Sequence, residues 1–187
     1  TTHAPTDEVA VRQALIYATN RTAIVDAVFQ GQSPAAHGPL AAVTPLYNAA
    51  LETMYPFDPT YARDLLAGVG FADSDGDGLL DRDGAPLKLT LVFAPWNQMS
   101  DTAQLIQSQW RDIGIDLELI QVPDFPTLKS RADEGEYNLI SFYDFGVDAS
   151  LLNPYYLSDG ANNWSHYADP ELDGWLHEGV RQVAPEA

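Results

Sequence analysis

The sequence has 187 residues, 45% of them hydrophobic, and 27 acidic side chains against 9 basic ones, which gives a formal net charge of −18. A chain of this length and apolar content can bury a substantial core, so a disordered acidic tail is excluded. The few basic residues exclude nucleic acid as a partner, and the absence of cysteine excludes disulfides and thiolate metal sites. No apolar run approaches the ~18 residues of a transmembrane segment.

Helical patterns dominate the first part of the chain. Apolar residues at three- and four-residue spacings predict one helix from Asp7 to about Ala18 and a second that begins after Asn20, whose side chain can cap it. A turn-rich stretch with Gly and Pro follows over 30–43. Asp58-Pro59 then predicts the start of a further helix, which ends at Gly68 or Gly70.

Strands and helices alternate in the second half. The expected order is a strand at 87–93, a helix at 100–112, a strand at 115–122, a short helix within 124–135 and a strand at 137–143. A βαβαβ unit of this kind has parallel strands, so the fold class is α/β with a parallel core between 87 and 143. Asp169-Pro170 predicts a last helix with the same kind of start as Asp58-Pro59.

An acidic turn precedes the first strand. Asp73, Asp75, Asp77 and Asp81 occupy positions one, three, five and nine of a calcium-loop pattern, with Gly78 at position six, where the sharp turn needs a glycine. The pattern requires a bidentate Glu at position twelve, but this sequence has Gly84 there. The favoured interpretation is a structural turn leading into a hairpin. The alternative is a calcium-stabilised extracellular structural or adhesion module.

Catalytic motifs are missing from the sequence. The four histidines show no zinc-binding spacing, and there is no nucleophile elbow, phosphate loop or dinucleotide fingerprint. A carbohydrate-active enzyme has only the abundance of acids and aromatics in its favour. We therefore expect no enzymatic activity and no cofactor, with calcium as the single possible exception.

Aromatic and polar residues are concentrated after the third strand. Loops at the carboxyl ends of strands form the ligand crevice of open α/β sheets, and aromatic walls with a few polar groups are typical of small-molecule pockets. The candidate binding residues are Phe142, Tyr143, Asp144, Phe145, Asp148, Asn163 and Trp164. The carboxylate of Asp148 has two possible roles: it can pair with a ligand ammonium, or it can cap a helix that begins near Ser150.

Several segments together resemble one family. VRQALIYATNRTAIVDAVFQGQSPAAHGPL, FDPTYARDLLAGVGFADSDGDG, AQLIQSQWRDIGIDLELIQV and NNWSHYADPELDGWL occur in the same order as the motifs of the extracellular solute-binding proteins of peptide/nickel-type ABC transporters. Each motif is degenerate, but together they cover nearly the whole chain. The sequence therefore resembles the C-terminal lobe of that family.

This resemblance implies the type II periplasmic-binding-protein fold, with residues 1–187 as a single ligand-binding lobe of a larger two-lobed protein, truncated at both ends. It implies a peptide or similar small solute as ligand and the membrane permease of an ABC transporter as partner. It also implies an extracytoplasmic location, periplasmic or at the cell surface, with a lipid anchor in many bacteria. By the same resemblance Asp148 receives the α-ammonium of a peptide, with Asp144 as second choice, and Phe142, Tyr143, Phe145 and Trp164 line the cleft.

Overall fold

A computed structural model describes residues 3–44, 47–144 and 148–181. Within these ranges the chain forms two compact units. The larger unit contains His3–Ala35 and Glu52–Phe142, and the smaller one contains the described residues of 36–51 and of the chain from Tyr143 onward. None of the described helices is both long and apolar enough to cross a membrane.

The elements follow one another as α1 (Val9–Tyr17), α2 (Arg21–Phe29), α3 (Leu51–Met54), α4 (Pro59–Gly68), β1 (Asp81–Arg82), β2 (Ala85–Pro86), β3 (Lys88–Phe93), α5 (Met99–Arg111), β4 (Asp116–Gln121), α6 (Phe125–Glu134), β5 (Leu139–Ser141), α7 (Asn153–Tyr156) and α8 (Pro170–Arg181). A 3-10 helix, Ala149–Leu152, precedes α7. The five predicted helices in the larger unit (α1, α2, α4, α5 and α6) and the helix at 170 are confirmed. The single-turn helices α3 and α7 were not predicted from the sequence.

A three-stranded parallel sheet organises the larger unit. Its order is β4-β3-β5, so the first strand of the βαβαβ unit lies in the middle. Leu89 pairs with Leu117 on one side of β3, and Leu91 pairs with Leu139 on the other. The predicted α/β class with a parallel core is therefore confirmed. β1 and β2 form the short antiparallel hairpin that was expected after the acidic turn.

The third strand is shorter than predicted, at three residues in place of 137–143. Asn138 explains its late start. Its backbone N–H donates to the Thr90 carbonyl at 3.1 Å, while its side-chain Oδ1 accepts from the Thr90 N–H at 2.9 Å. A side-chain oxygen thus closes the ladder where a backbone carbonyl would otherwise do so, and regular pairing begins one residue later.

The hydrophobic core of the larger unit is built around β3. Leu89 is completely buried, and its neighbours in the cluster include Leu66 of α4 and Trp110 of α5. The Trp110 indole N–H donates to Thr19 Oγ1 at 3.0 Å, which anchors the α1–α2 junction to α5. Gly114 ends the turn after α5 with φ +88°, and a Cβ there would lie 2.7 Å from the Leu80 side chain. Only glycine fits at this position without a shift.

Side-chain caps set the helix starts as the sequence predicted. Asn20 Oδ1 accepts from the Ala23 N–H at 2.9 Å, and Asp58 Oδ1 accepts from the Tyr61 N–H at 2.9 Å. In the smaller unit, Asp169 Oδ1 accepts from the backbone of Glu171 at 2.9 Å, at the start of α8. These bonds satisfy N–H groups that have no partner inside the helix.

Candidate functional site

Three aromatic rings lie together at the carboxyl edge of the sheet in the larger unit. Trp96 follows the end of β3, Phe125 follows β4 and Phe142 follows β5. The ring centroids are 6.2 Å apart for Trp96 and Phe125, 6.2 Å for Trp96 and Phe142, and 5.4 Å for Phe125 and Phe142. All three side chains are half-buried, so each ring both packs against the protein and faces solvent. We call Trp96, Phe125 and Phe142 the aromatic trio.

Local backbone structure fixes the position of each ring. The Trp96 N–H donates to the Ala94 carbonyl at 2.8 Å, and the Trp96 carbonyl accepts from the Met99 N–H at 3.0 Å. Phe125 is the first residue of α6, where Asp124 Oδ1 accepts from the Thr127 N–H at 2.9 Å. The hydrogen bonds from Thr127 lower the pKa of Asp124, so the cap is charged at neutral pH.

The third ring is placed by the sheet itself. Phe142 directly follows Ser141, the last residue of β5, whose hydroxyl donates to the Met99 sulfur at 2.7 Å. The backbone that carries each of the three rings is therefore ordered, at or just after a strand end or at a helix start. This is where open α/β sheets bind their ligands, because the connecting loops leave a crevice outside the carboxyl ends.

The smaller unit holds a second group of candidate residues. The Tyr155 hydroxyl donates to Asp144 Oδ2 at 2.9 Å, and the Tyr155 ring lies edge-on to Trp164 with centroids 6.4 Å apart. Burial of the phenol, followed by its bond to Asp144, raises the pKa of Tyr155 to about 12. The phenol thus stays protonated at physiological pH and orients the exposed Asp144 carboxylate.

Asp148 and Asn163 have structural roles in the same unit. Asp148 Oδ1 accepts from the Ser150 N–H at 2.7 Å and caps the 3-10 helix, and this bond lowers the pKa of Asp148. Asn163 is buried, and its Nδ2 donates to the carbonyls of Leu157 at 3.0 Å and Tyr167 at 2.7 Å. The capping alternative for Asp148 is therefore what the structure shows, while its role toward a ligand remains a prediction.

The predicted binding residues are distributed over both units. Phe142 belongs to the larger unit and is part of the aromatic trio. The smaller unit contains Tyr143, Asp144, Asp148, Asn163 and Trp164. Phe145 lies outside the described residues. Sequence analysis missed Trp96 and Phe125. The signal that could have found them is their position, since each closely follows the carboxyl end of a predicted strand.

The acidic turn brings three of its four predicted metal-binding residues together. One carboxylate oxygen from each of Asp73, Asp75 and Asp77 lies within 4.8 Å of the others, and all three side chains are exposed. Asp73 accepts hydrogen bonds from the backbone of Gly76 at 2.8 Å and of Gly78 at 3.1 Å.

Asp81, the fourth predicted ligand, is directed at Ser74. Its Oδ2 accepts from the Ser74 N–H at 3.0 Å and from the Ser74 hydroxyl at 2.6 Å, and these bonds lower the pKa of Asp81. The turn is thus held by bonds within the protein, as its structural interpretation expects. Calcium binding there stays the untested alternative.

Comparison with known proteins gives one consistent family. The sequence profile of the bacterial extracellular solute-binding proteins, family 5, middle region, matches residues 1–166. The nickel-binding periplasmic protein of Escherichia coli K12 is 31% identical over 148 residues, which cover 79% of this chain and 28% of that protein. The dipeptide-binding protein of Pseudomonas aeruginosa PAO1 is 32% identical over 180 residues, covering 92% of this chain and 32% of that protein.

Solved structures agree on the fold. NikA from Brucella suis, in complex with Fe(III)-EDTA, superposes with a TM-score of 0.85 at 24% identity, covering 98% of this chain and 38% of NikA. The predicted type II periplasmic-binding-protein fold is thereby confirmed. The chain spans about a third of the length of the curated relatives that it matches.

Proposed function

The chain belongs to the bacterial extracellular solute-binding proteins of family 5, and from this premise we propose that it forms part of the substrate receptor of an ABC importer. Its ligand would be a peptide or a similar small solute. The observation that carries the proposal is the aromatic trio at the carboxyl edge of the sheet, in a chain whose relatives include nickel-, heme- and dipeptide-binding proteins.

The aromatic trio supplies an apolar wall. Half-buried rings lose little conformational freedom on binding, because their backbone is already fixed at strand ends and at a helix start. A ligand group that covers the exposed faces of Trp96, Phe125 and Phe142 removes apolar area from water, at ~25 cal/mol per Å². Offset or edge contacts with an aromatic ligand group add about 0.5–1.5 kcal/mol for each ring pair.

Asp144 is our first choice for a group that receives a ligand ammonium. The resemblance to the family implied Asp148, but Asp148 already caps the 3-10 helix through Oδ1. Asp144 is exposed, and its Oδ2 accepts from the Tyr155 hydroxyl, which orients the carboxylate. A carboxylate has two oxygens with about four acceptor positions, so a bond from a phenol and one from an ammonium are compatible.

The remaining parts of the proposal concern the whole protein. The family consists of extracellular binding proteins rather than enzymes. We propose that this protein likewise performs no catalysis, acts outside the cytoplasm, with or without a lipid anchor, and delivers its solute to a membrane permease. Domain closure around the solute would give the permease its signal, since closed and open states present different surfaces.

Isothermal titration of the natural protein that carries this chain tests the proposal. A dipeptide, its N-acetylated form, a pentapeptide and a nickel–histidine chelate form the ligand panel. Trp96→Ala should weaken binding of the preferred solute about tenfold or more, which corresponds to ~1.4 kcal/mol. Trp175→Ala is the matched control, because Trp175 is 65% exposed on α8. Equal effects of the two substitutions would contradict the assignment of the trio.

The ammonium assignment has its own test. If a peptide is the ligand, Asp144→Asn should weaken the free dipeptide while leaving the N-acetylated form unchanged. Asp148→Asn keeps an oxygen acceptor for the capping bond and serves as the matched control. A loss of affinity confined to Asp148→Asn would restore Asp148 as the ammonium-binding residue.

A further inference from the structure

Arg21, the first residue of α2, is an unusual cation in this protein. Its guanidinium is half-buried, and its Nη1 lies 3.4 Å from the Tyr55 carbonyl, at the outer limit of a hydrogen bond. Among the described residues no carboxylate lies within 4.0 Å of it, although the chain carries 27 acids. Burial lowers the pKa of Arg21, yet an arginine keeps its charge at physiological pH.

Two other half-buried arginines in the larger unit make shorter hydrogen bonds or ion pairs than Arg21 does. Arg82 pairs with Glu8 at 2.7 Å. Arg12 donates to the carbonyls of Thr6 at 2.9 Å and Asp7 at 2.8 Å. Arg21 has five N–H donors, and its contact within the described residues is the long one to Tyr55.

Tyr55, whose carbonyl Arg21 contacts, belongs to a group of tyrosine rings. Tyr17 packs edge-on against Tyr55, with centroids 5.6 Å apart, and against Tyr61, with centroids 4.9 Å apart. Tyr61 is 45% exposed, and Phe57 between Tyr55 and Tyr61 is exposed to a similar degree. Arginine and tyrosine are, with tryptophan, enriched among the residues that dominate binding energy at protein interfaces, since they combine apolar area with directed polar groups.

This location differs from that of the aromatic trio. Arg21 follows Asn20, whose N–H donates to Gln109 near the end of α5 at 2.8 Å. Ser100, at the start of α5, donates to Gln121 at the carboxyl end of β4 at 3.1 Å. Nine residues of helix separate the two contacts, which is ~14 Å at 1.5 Å per residue.

We propose that Arg21 and the rings of Tyr17, Tyr55 and Tyr61 form a second binding site, for a carboxylate carried on an apolar group. The guanidinium matches a carboxylate with two parallel hydrogen bonds, and the rings cover the apolar part of the ligand. The nearby Asp58 uses Oδ1 to cap α4. Because the chain has a net charge of −18, a single carboxylate fits this site better than a multiply charged anion.

Amide-resolved NMR titration of the natural protein with three probes tests the proposal. The probes are N-acetylphenylalanine, its uncharged amide and inorganic phosphate. The acid should bind about tenfold more tightly than the amide, as expected for a charge-assisted bond, and phosphate should bind more weakly than the acid. The shifted signals should centre on Tyr17, Arg21 and Tyr55.

Matched variants complete the design. Arg21→Gln should bring the acid down to the affinity of the amide. Arg111→Gln, which removes the same charge from an exposed residue of α5, should leave the preference intact. Trp96→Ala should also leave it intact, which separates this site from the proposed solute site. Circular dichroism checks that each variant is folded.

Three results would overturn the proposal. The first is equal affinity for acid and amide in the unmodified protein. The second is a preference for the acid that survives in Arg21→Gln. The third is a shift map centred away from Tyr17 and Tyr55, which is decisive even if Arg21→Gln fails to fold.

Discussion

Leu89→Ala tests whether the middle of the sheet is the centre of the core. Leu89 has no exposed area, and it lies on β3 between β4 and β5. Its backbone pairs with that of Leu117, which is also buried. Truncation at this point therefore removes side-chain volume where neighbouring strands leave little freedom to close the gap.

The expected loss follows from the atoms removed. Leu→Ala deletes three carbons, and at ~0.8 kcal/mol for each buried methyl or methylene group the transfer contribution is ~2.4 kcal/mol. The cavity left behind raises the total to roughly 3–4 kcal/mol, within the range measured for such substitutions in cores. In a domain of this size, that corresponds to a melting temperature lower by roughly 10 °C.

Urea denaturation followed by circular dichroism measures this change. Lys88→Ala, the adjacent position on the same strand, is the control. Its ammonium pairs with Glu118 at the surface at 2.9 Å, and such exposed pairs contribute little. A loss below about 1 kcal/mol for Leu89→Ala, or a loss no larger than that of Lys88→Ala, would refute the placement of β3 at the centre of the core.

Three further predictions concern a cap, a titration and the acidic turn. Asn20→Ala should lower the free energy of unfolding by ~1 kcal/mol because α2 loses its cap, whereas Asn20→Asp keeps the acceptor and should not. If thermal melts show that both variants lose the same stability, the capping role is contradicted. In a spectrophotometric titration, Tyr155 should ionise near pH 12. Asp144→Asn should lower the pKa of Tyr155, because the substitution removes the neighbouring negative charge. A titration curve that Asp144→Asn leaves unchanged would show that the tyrosine ionising near pH 12 is not Tyr155. Calcium in place of chelator should leave the melting temperature unchanged, because the turn at 73–81 is held by its own hydrogen bonds; a rise of several degrees would support a calcium site.

The parallel core could be predicted because its signals are local. Alternating apolar residues mark strands, three- and four-residue spacings mark helices, and the alternation of the two leaves a right-handed parallel arrangement as the usual solution. The caps at Asn20, Asp58 and Asp169 were equally local, since an oxygen-bearing side chain and the N–H it accepts from lie within three residues.

The aromatic trio was not identified as a group from the sequence. Trp96, Phe125 and Phe142 are separated by 17 or more positions and stand in three different connections. The parallel direction of the strands places their loops at one edge, but the order β4-β3-β5 decides which loops are neighbours, and strand order is a property of the whole fold. Only Phe142 was singled out, because it belongs to a segment that is rich in aromatics by composition.

Residues with two possible roles also limited what could be predicted from the sequence. Asp148 precedes a short helix and also matches a ligand-binding position of the family, so spacing alone left both roles open. The structure shows its bond to the Ser150 N–H, a contact of 2.7 Å that depends on the backbone conformation at Asp148. Asn138 closes the ladder at Thr90 in the same unforeseen way.

The most direct test of solute binding uses the four tryptophans as reporters. Their indole N–H signals can be followed by NMR while the natural protein is titrated with a dipeptide, a pentapeptide and a nickel–histidine chelate. We predict that at least one of these solutes shifts the Trp96 signal in a saturable way and leaves that of the exposed Trp175 unchanged. Binding of a solute without any change at Trp96, or no binding across the panel, would contradict the proposed site.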